Sequence, residues 1–369
     1  MEGLDGSSPK IFEYIWLDFG GDLRSKTKIY WGDFDKNKGR LPPKWSFDGS
    51  STGQATTAHS DVILTPYFVC SDPFRPQEDA YLVLCRTEHD KFIGKLWDLH
   101  YKHVNLKPVF GFEQEFFIID KFTGSPLIHR EVGLTRDYDL SSTGEDSKEP
   151  RVLVKGPLTQ PVYYCAVGAN KVGCRTHLER IRVNCLSIGL KITGLNYEVA
   201  PGQCEFQVCD SGPSAADSLL LLRYIIQRTL EPYDLVADFS TKPQGLLDPP
   251  NGPKFNASGC HANFSTKEMR EHGNWHLFEN LIKTLEKSHD THMIHYGPGN
   301  KKRLTGKNET SAYEKFTWGV GDRTVSVRIP LHVKDQGFGY IEDRRPSSAM
   351  NPYEVSYFLL KAYVDSLRD

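Results

Sequence analysis

Two glutamates stand one residue apart in Phe112-Glu113-Gln114-Glu115-Phe116. Strand residues two apart share a face, so Glu113 and Glu115 project together from a segment otherwise made of Val109, Phe110, Phe112, Phe116, Phe117, Ile118 and Ile119. Carboxylates so placed repel each other unless cations neutralise them; alone, the pair also fits a solvated strand face. Glu198 and Glu205 flank the turn Pro201-Gly202, and Glu205 sits in an apolar run between Cys204 and Phe206. His261 lies among small residues in Gly259-Cys260-His261-Ala262-Asn263, where an isolated histidine is ordinarily a hydrogen-bonded structural residue. Glu342-Asp343-Arg344-Arg345 packs two acids and two arginines into four positions, a pattern that also suits an exposed salt-bridged turn. Together, five glutamates and a histidine in strand-like, apolar contexts suit hard divalent cations, which take oxygen ligands. Magnesium acting on phosphate substrates is the usual outcome, since two cations can clamp a phosphoryl group in transfer.

Arg303, Arg323, Arg328 and Arg344 are the candidates to hold carboxylate and phosphate, because guanidinium pairs with either anion through a planar fork. No Walker A sequence occurs, and no Gly-x-Gly-x-x-Gly follows a strand, so neither a P-loop nor a Rossmann nucleotide site is supported.

These residues need strands to carry them. The first 90 residues read as strands and turns: Ile11–Asp18, Asp61–Phe68 and Ala80–Cys85 are strand candidates, with a turn-rich loop at Phe47-Asp48-Gly49-Ser50-Ser51. A helical pattern follows near 90–105, and Val109–Asp120 is a clear strand. Ser141–Pro150 reads as an exposed loop. Thr176 with Glu179 suggests a capping box for a helix burying Leu178, Ile181, Cys185 and Ile188. Ser214 with Asp217 suggests a second helix, reaching about Ala237. Trp275, Phe278, Ile282 and Leu285 mark a third, and Pro352 opens the last. The irregular mixture predicts an α+β fold with a small β-rich domain over 1–90 and a larger domain over 91–369.

Composition narrows the partners. The chain has 369 residues, 38% hydrophobic and 25% charged, with a net charge of −2. No basic field argues for nucleic acid or anionic lipid, and no run approaches the roughly 18 apolar residues of a membrane span. The N-terminal MEGLDGSSPK has neither a secretory nor a transit pattern, so a cytoplasmic location is expected. The 8 cysteines form no Cys-x-x-Cys pair and are expected to be reduced thiols.

The motifs in order resemble one family. Trp45-Ser46-Phe47-Asp48-Gly49-Ser50-Ser51-Thr52, the Glu-Gln-Glu strand, Pro201-Gly202-Gln203-Cys204-Glu205-Phe206, Asn256 through Ser265, Arg303-Leu304-Thr305-Gly306 and Glu342-Asp343-Arg344-Arg345-Pro346 resemble glutamine synthetase of the eukaryotic type. The likeness runs from about Ile11 to the last helix. It implies a β-grasp domain followed by a catalytic domain with a curved antiparallel sheet and flanking helices. It also implies two stacked rings of subunits, a decamer, with each site lying between neighbours. Carried over by position, it assigns Glu115, Glu198 and Glu205 to one magnesium or manganese ion, and Glu113, His261 and Glu342 to the second. Arg303, Arg323 and Arg344, beside Asn256 and Ala257, would hold glutamate and the phosphoryl group in transfer. Asn263, Ser265, Arg270, Arg328 and Tyr340 fall where the family binds ATP. Asp48, Ser51, Tyr164 and Glu309 fall where it binds ammonium, with Asp48 as general base and Glu309 closing the site. The implied reaction joins ammonia to the γ-carboxylate of glutamate through γ-glutamyl phosphate.

The chain departs from the family pattern at several points. Ala257 stands where a glycine is usual, which would be strained if that backbone needs a positive φ. Asn308 replaces a usual histidine beside Glu309, Cys204 a tryptophan and Val109 an aromatic, and Leu246–Lys254 is a longer connection. Two alternatives compete: a γ-glutamyl ligase for another amine, and a non-catalytic scaffold relative. The intact ligand set and the charged ammonium pocket weigh against both.

Overall fold

The computed structural model describes residues 8–127, 163–168, 171–244, 246, 255–271, 274–307 and 309–368. The polar stretch Ser141–Pro150 and all of the Leu246–Lys254 connection beyond Leu246 and before Phe255 lie outside them.

Aromatic and β-branched residues crowd the first strand, Lys10–Leu17 (β1), and bury it on both faces. Phe12, Tyr14 and Trp16 point to one side, into a small core with Phe34, Phe47, Val62, Leu64 and Val83. Ile15 and Leu17 point to the other, into the main core. With Leu23–Tyr30 (β2), Trp45–Asp48 (β3), Asp61–Ser71 (β4) and Ala80–Arg86 (β5) it forms a five-stranded sheet in the order β2-β1-β5-β4-β3. β1 runs parallel to β5, and every other pair is antiparallel.

The second sheet positions the candidate site. Its strands are Val109–Asp120 (β6), Ile192–Tyr197 (β7), Gln203–Ser211 (β8), Leu235–Asp238 (β9), Cys260–Ser265 (β10), Trp318–Val320 (β11), Val327–Ile329 (β12) and Ile341–Asp343 (β13). The order is β11-β12-β13-β10-β6-β8-β7, with β9 pairing β6. It is antiparallel as expected except for one parallel pair, β11 with β12. One face carries Phe110, Phe112, Phe116, Phe206, Val208, Phe264, Val327 and Ile341. The buried helices Ser214–Leu230 and Pro352–Ser366 cover it, with Tyr363 against Phe264 at 5.8 Å between ring centres. Removing these large apolar side chains from water is the main force holding the layers together. The layout is the α+β fold read from the sequence.

Three local expectations need correction. Neither proposed capping box forms: the helix Arg175–Ser187 begins after Cys174 without a side-chain cap, and Glu179 is held instead by Arg182 at 2.8 Å. The helix Ser214–Leu230 likewise lacks a side-chain cap, because Asp217 is buried and accepts a hydrogen bond from Tyr353 at 2.7 Å. That helix stops well before Ala237. Pro232 cannot continue it, Asp234 adopts a left-handed φ of 55°, and Leu235–Asp238 turns back as β9. The last helix opens at Pro352 as read, with Asn351 accepting from the Tyr353 N–H at 3.0 Å. All eight cysteines are unbridged.

Candidate active site

Strand register gathers the motifs onto the second face of the large sheet. On β6, Glu113 lies opposite His261 of β10, and Glu115 lies opposite Glu205 of β8. On β13, Glu342 lies opposite Asn263 of β10 and Arg328 of β12. Side chains that face each other across paired strands stand on the same side of the sheet, so residues more than 200 positions apart become neighbours. Alternation also sorts the tight cluster in β13. Glu342 and Arg344 point to the polar face, whereas Asp343 and Arg345 point into the core, where Arg345 Nη2 donates to Asp343 Oδ2 at 2.6 Å.

His261 Nδ1 is 3.2 Å from Glu113 Oε2 and 3.7 Å from Glu342 Oε1. Burial, with Arg344 and Arg303 nearby, holds the His261 pKa well below the usual imidazole value. The ring is therefore neutral, and its contact with Glu113 is a hydrogen bond rather than an ion pair. A neutral imidazole is the form that can ligate a metal. Among the described residues, Glu113, His261 and Glu342 are the group whose ligand atoms lie within 4.8 Å of one another. Glu342 is bound by Arg328 at 2.7 Å and by Arg344, and Asn263 Nδ2 donates to Glu113 at 2.8 Å.

Glu115, Glu198 and Glu205 line a cavity of about 240 Å³ beside this trio. Burial, then Glu198, pushes Glu115 up to about 8. Burial, then Glu205, pushes Glu198 up to about 7. Burial, then Glu113 and Glu115, pushes Glu205 up to about 8. Among the described residues their ligand atoms do not all lie within 4.8 Å of one another, as those of the first trio do. Both sets are rich in oxygen and fit a hard divalent cation.

The cavity walls carry the anion-binding candidates. Arg303, Arg323, Arg344, Tyr164, Asn256, Ala257 and Glu309 all line it. Arg303 Nη2 donates to the Arg344 carbonyl at 2.8 Å and approaches His261 Nε2 at 3.1 Å. The buried Nε atoms of Arg303, Arg328 and Arg344 and the Oδ1 atoms of Asn256 and Asn263 have no partner. Buried polar groups are normally satisfied, so the three Nε donors fit an anion and the two Oδ1 acceptors fit an N–H or O–H of a ligand. Asn263 and Ser265 continue along β10, and Arg270, on the short helix Lys267–Glu271, donates from Nη1 to Ser265 Oγ at 3.0 Å. Tyr340 stands at the start of β13, its phenol pushed up by burial. Glu309 takes a left-handed φ of 60°, close to Gly306 at 72°. Ala257 is absent from the positive-φ residues, so the strain expected there does not arise. Asn308 is outside the described residues.

Asp48 and Ser51 stand apart from the cavity. Asp48 ends β3 and caps the following turn, accepting from Ser50 Oγ at 2.6 Å and Ser51 Oγ at 2.8 Å. Those hydrogen bonds hold its carboxyl below the usual range. Sequence reading missed several supporting groups. Gln203 donates to Glu115 at 3.2 Å, Gly259 N–H donates to Glu115 at 2.8 Å, Asn196 donates to Glu198 at 2.8 Å and Gln207 to Glu205 at 2.8 Å. Their only signal was proximity in the chain to a site residue, Glu198 or Glu205 for the three amides and His261 for Gly259.

Fold and site define a class: α+β proteins whose sheet carries a carboxylate and arginine site suited to divalent cations and a phosphoryl anion. The family model for the glutamine synthetase catalytic domain matches residues 95–282. A glutamine synthetase cytosolic isozyme of Arabidopsis thaliana is 39% identical over 379 residues, covering 98% of this chain and 97% of its own. A putative glutamine synthetase of Acanthamoeba polyphaga mimivirus is 36% identical, covering 99% and 97%. The glutamine synthetase of Neurospora crassa is 38% identical, covering 95% and 91%. The chain belongs to the glutamine synthetase family, whose enzymes are ATP-dependent ligases.

Proposed function

We propose that this chain makes L-glutamine from L-glutamate, ammonia and ATP on the polar face of its large sheet. The observation that carries the reading is the convergence of five glutamates, a neutral histidine and three arginines with unpartnered Nε atoms on that face.

In this reading Glu115, Glu198 and Glu205 hold one magnesium or manganese ion, and Glu113, His261 and Glu342 hold a second. The bound cations would screen the negative charge shared by the glutamates and the phosphoryl oxygens. Arg303, with Asn256 and Ala257, holds the amino acid substrate. Asn263, Ser265, Arg270, Arg328 and Tyr340 hold ATP. A glutamate oxygen bonds to the γ-phosphorus as the bond to the ADP oxygen breaks, giving an acyl phosphate. Arg323 and Arg344 neutralise charge on the moving phosphoryl group.

Ammonium settles among Asp48, Ser51, Tyr164 and Glu309. Asp48 stays ionised because two serines donate to it, so it attracts the cation and receives its proton. The freed nitrogen attacks the acyl carbon, and phosphate leaves with the electron pair. Glu309, on the loop after Gly306, shields the intermediate from water.

Asp48 does not line the cavity of its own chain, which supports placing it in a neighbour's site. That reading divides the chain into a small domain over 1–90 and a catalytic domain over 91–369, assembled as two stacked rings, a decamer. Among the described residues no helix is long and apolar enough to cross a membrane, and relatives in Arabidopsis thaliana and Daucus carota are named cytosolic isozymes. We place this chain in the cytoplasm with them.

The test is an incubation with MgATP, glutamate and ammonium. Equal yields of glutamine and phosphate, lost in Asp48→Ala and Glu309→Ala, are expected. Phosphate release without glutamine would point to another amine, and no turnover by folded, assembled protein would favour a scaffold. Mixing Asp48→Ala with Glu205→Gln subunits should restore part of the activity; no recovery in mixed assemblies would place Asp48 outside the neighbour's site.

A further inference from the structure

A second cavity adjoins the carboxylate site, and the charged residues that line it are all basic. It encloses about 320 Å³ and is lined by Lys242, Lys302, Lys307, Arg303 and Phe255 among others. Asn256, Ala257, Arg303 and Thr310 border both cavities. The first mixes five glutamates with Arg303, Arg323 and Arg344, whereas no acidic residue is among the described residues lining the second.

We infer that this lysine-lined cavity is the vestibule through which the anionic amino acid reaches the site, and that Lys302 and Lys307 set its affinity by charge. The inference rests on the proposed glutamine synthetase reaction and adds to it two residues that select the substrate class, small amino acids with two carboxylates.

The physical reason lies in the sign of each compartment. Glutamate carries two carboxylates and one ammonium at neutral pH, a net negative charge. The first cavity sets arginines against its glutamates, whereas every charged residue lining the second is basic, so the approach with the most favourable field for an anion is the basic side. Arg303 forms the charged part of the shared wall. Its Nη atoms are tied to the carbonyls of Arg344 and Arg345 at 2.8 and 3.2 Å, so it is a fixed charge. Lys302 lies in the short helix Asn300–Arg303, and Lys307 follows Gly306 in the next turn. Both are exposed. An ammonium on a flexible stem attracts an anion without fixing its geometry, which suits capture and hand-over to a rigid guanidinium. A field of this kind concentrates the anion and weakens as salt screens it.

The experiment compares wild type, Lys302→Gln, Lys307→Gln and the double variant at low and physiological ionic strength. Neutralising each lysine should raise the KM for glutamate about two- to fivefold at low salt. The double variant should lose most of the salt dependence of that KM. The kcat and the KM for ATP should stay unchanged, which separates vestibule capture from a general loss of folding or of nucleotide binding. Lys361→Gln is the control: it lies on the helix covering the opposite face of the sheet and should change neither KM. A glutamate KM with unaltered salt slope in the double variant would overturn the inference. Calorimetric titration of glutamate into the protein with magnesium and ADP reads the same slope without turnover. If wild type makes no glutamine yet binds glutamate with a salt slope that the double variant abolishes, the vestibule stands and the proposed reaction fails. If wild type turns over and the double variant matches it in every measure, the reverse holds.

Discussion

Glu115, Glu198 and Glu205 hold protons in the folded chain that they would release in the unfolded one. Their ordinary value of 4.5 rises to about 8, 7 and 8. Between those values the folded state binds more protons, so stability falls as pH rises through the window. His261 and His292 have the opposite linkage, since burial keeps their imidazoles neutral; their stability is lost on acidification below the usual imidazole value. The carboxylates therefore dominate from about pH 6.5 upward. In the presence of a chelator, thermal unfolding should come at a lower temperature near about pH 9 than near about pH 6.5. Magnesium or manganese should restore more at the higher pH, and Glu205→Gln should flatten the pH dependence. A midpoint that rises with pH in the chelator would contradict these linkages. Asp343 and Arg345 behave otherwise, because each is fully buried and answers the other. Asp343→Asn would strand a buried guanidinium and should cost about 3–5 kcal/mol in a denaturant titration; a loss under about 1 kcal/mol would mean that His289, His292 and Tyr296 suffice as partners.

The bridge between β6 and the chain just before β10 fixes the Arg303 guanidinium. Gly259 carbonyl accepts from the Glu115 N–H at 3.1 Å, and Gly259 N–H donates to the Glu115 carboxylate at 2.8 Å. A Cβ at Gly259 would collide with Arg303 Nη2. Its φ is not left-handed, so the demand for glycine is one of space. Gly259→Ala should displace Arg303 and raise the KM for glutamate about tenfold or more, by loss of a charge-assisted contact, while leaving far-ultraviolet circular dichroism intact. An unchanged KM would show that Arg303 can step aside freely. The last helix depends on its cap rather than on a ligand: Asn351→Ala should lower stability by about 1 kcal/mol without altering KM. Cys204 packs its Sγ 3.7 Å from Cys174 Sγ, so two thiols sit together on the core side of the strand that carries Glu205.

The two sheets are not energetically separate. Ile15, Leu17, Leu82 and Leu84 of the small sheet belong to the same buried cluster as Phe110, Phe112 and Phe206 of the large one. Tyr67 of β4 is hydrogen-bonded to Tyr353 at 2.6 Å, and Tyr353 donates to Asp217 at 2.7 Å. The division near residue 90 thus separates sheets rather than cores. Fluorescence of a variant that keeps Trp16 as its one tryptophan and far-ultraviolet circular dichroism should report one coincident transition on denaturation. Two well-separated transitions would show that the small sheet unfolds alone. Tyr67→Phe should cost about 1 kcal/mol through loss of the link in this chain.

Much of the site was legible because its chemistry is carried by short motifs. Glu113 and Glu115 could be paired from strand alternation alone, as could the α+β mixture and the helix opening at Pro352. Pro232 even signalled the early end of its helix, a local rule that the apolar pattern running toward Ala237 obscured. Long-range register could not be read this way. That His261 faces Glu113, that Glu205 faces Glu115, and that Glu342 turns to the site while Asp343 turns to the core depend on how strands distant in sequence align. The failed capping boxes have the same origin, since Asp217 found a tertiary partner in Tyr353. The basic cavity beside Arg303 also follows from folding: Lys242 lies far along the chain from Lys302 and Lys307, and charge summed along the chain cancels what proximity in space concentrates. Residue types and local periodicity determined which chemistry the chain can hold. Only the tertiary structure decided where opposite charges gather, because a field depends on distance and not on order in the chain.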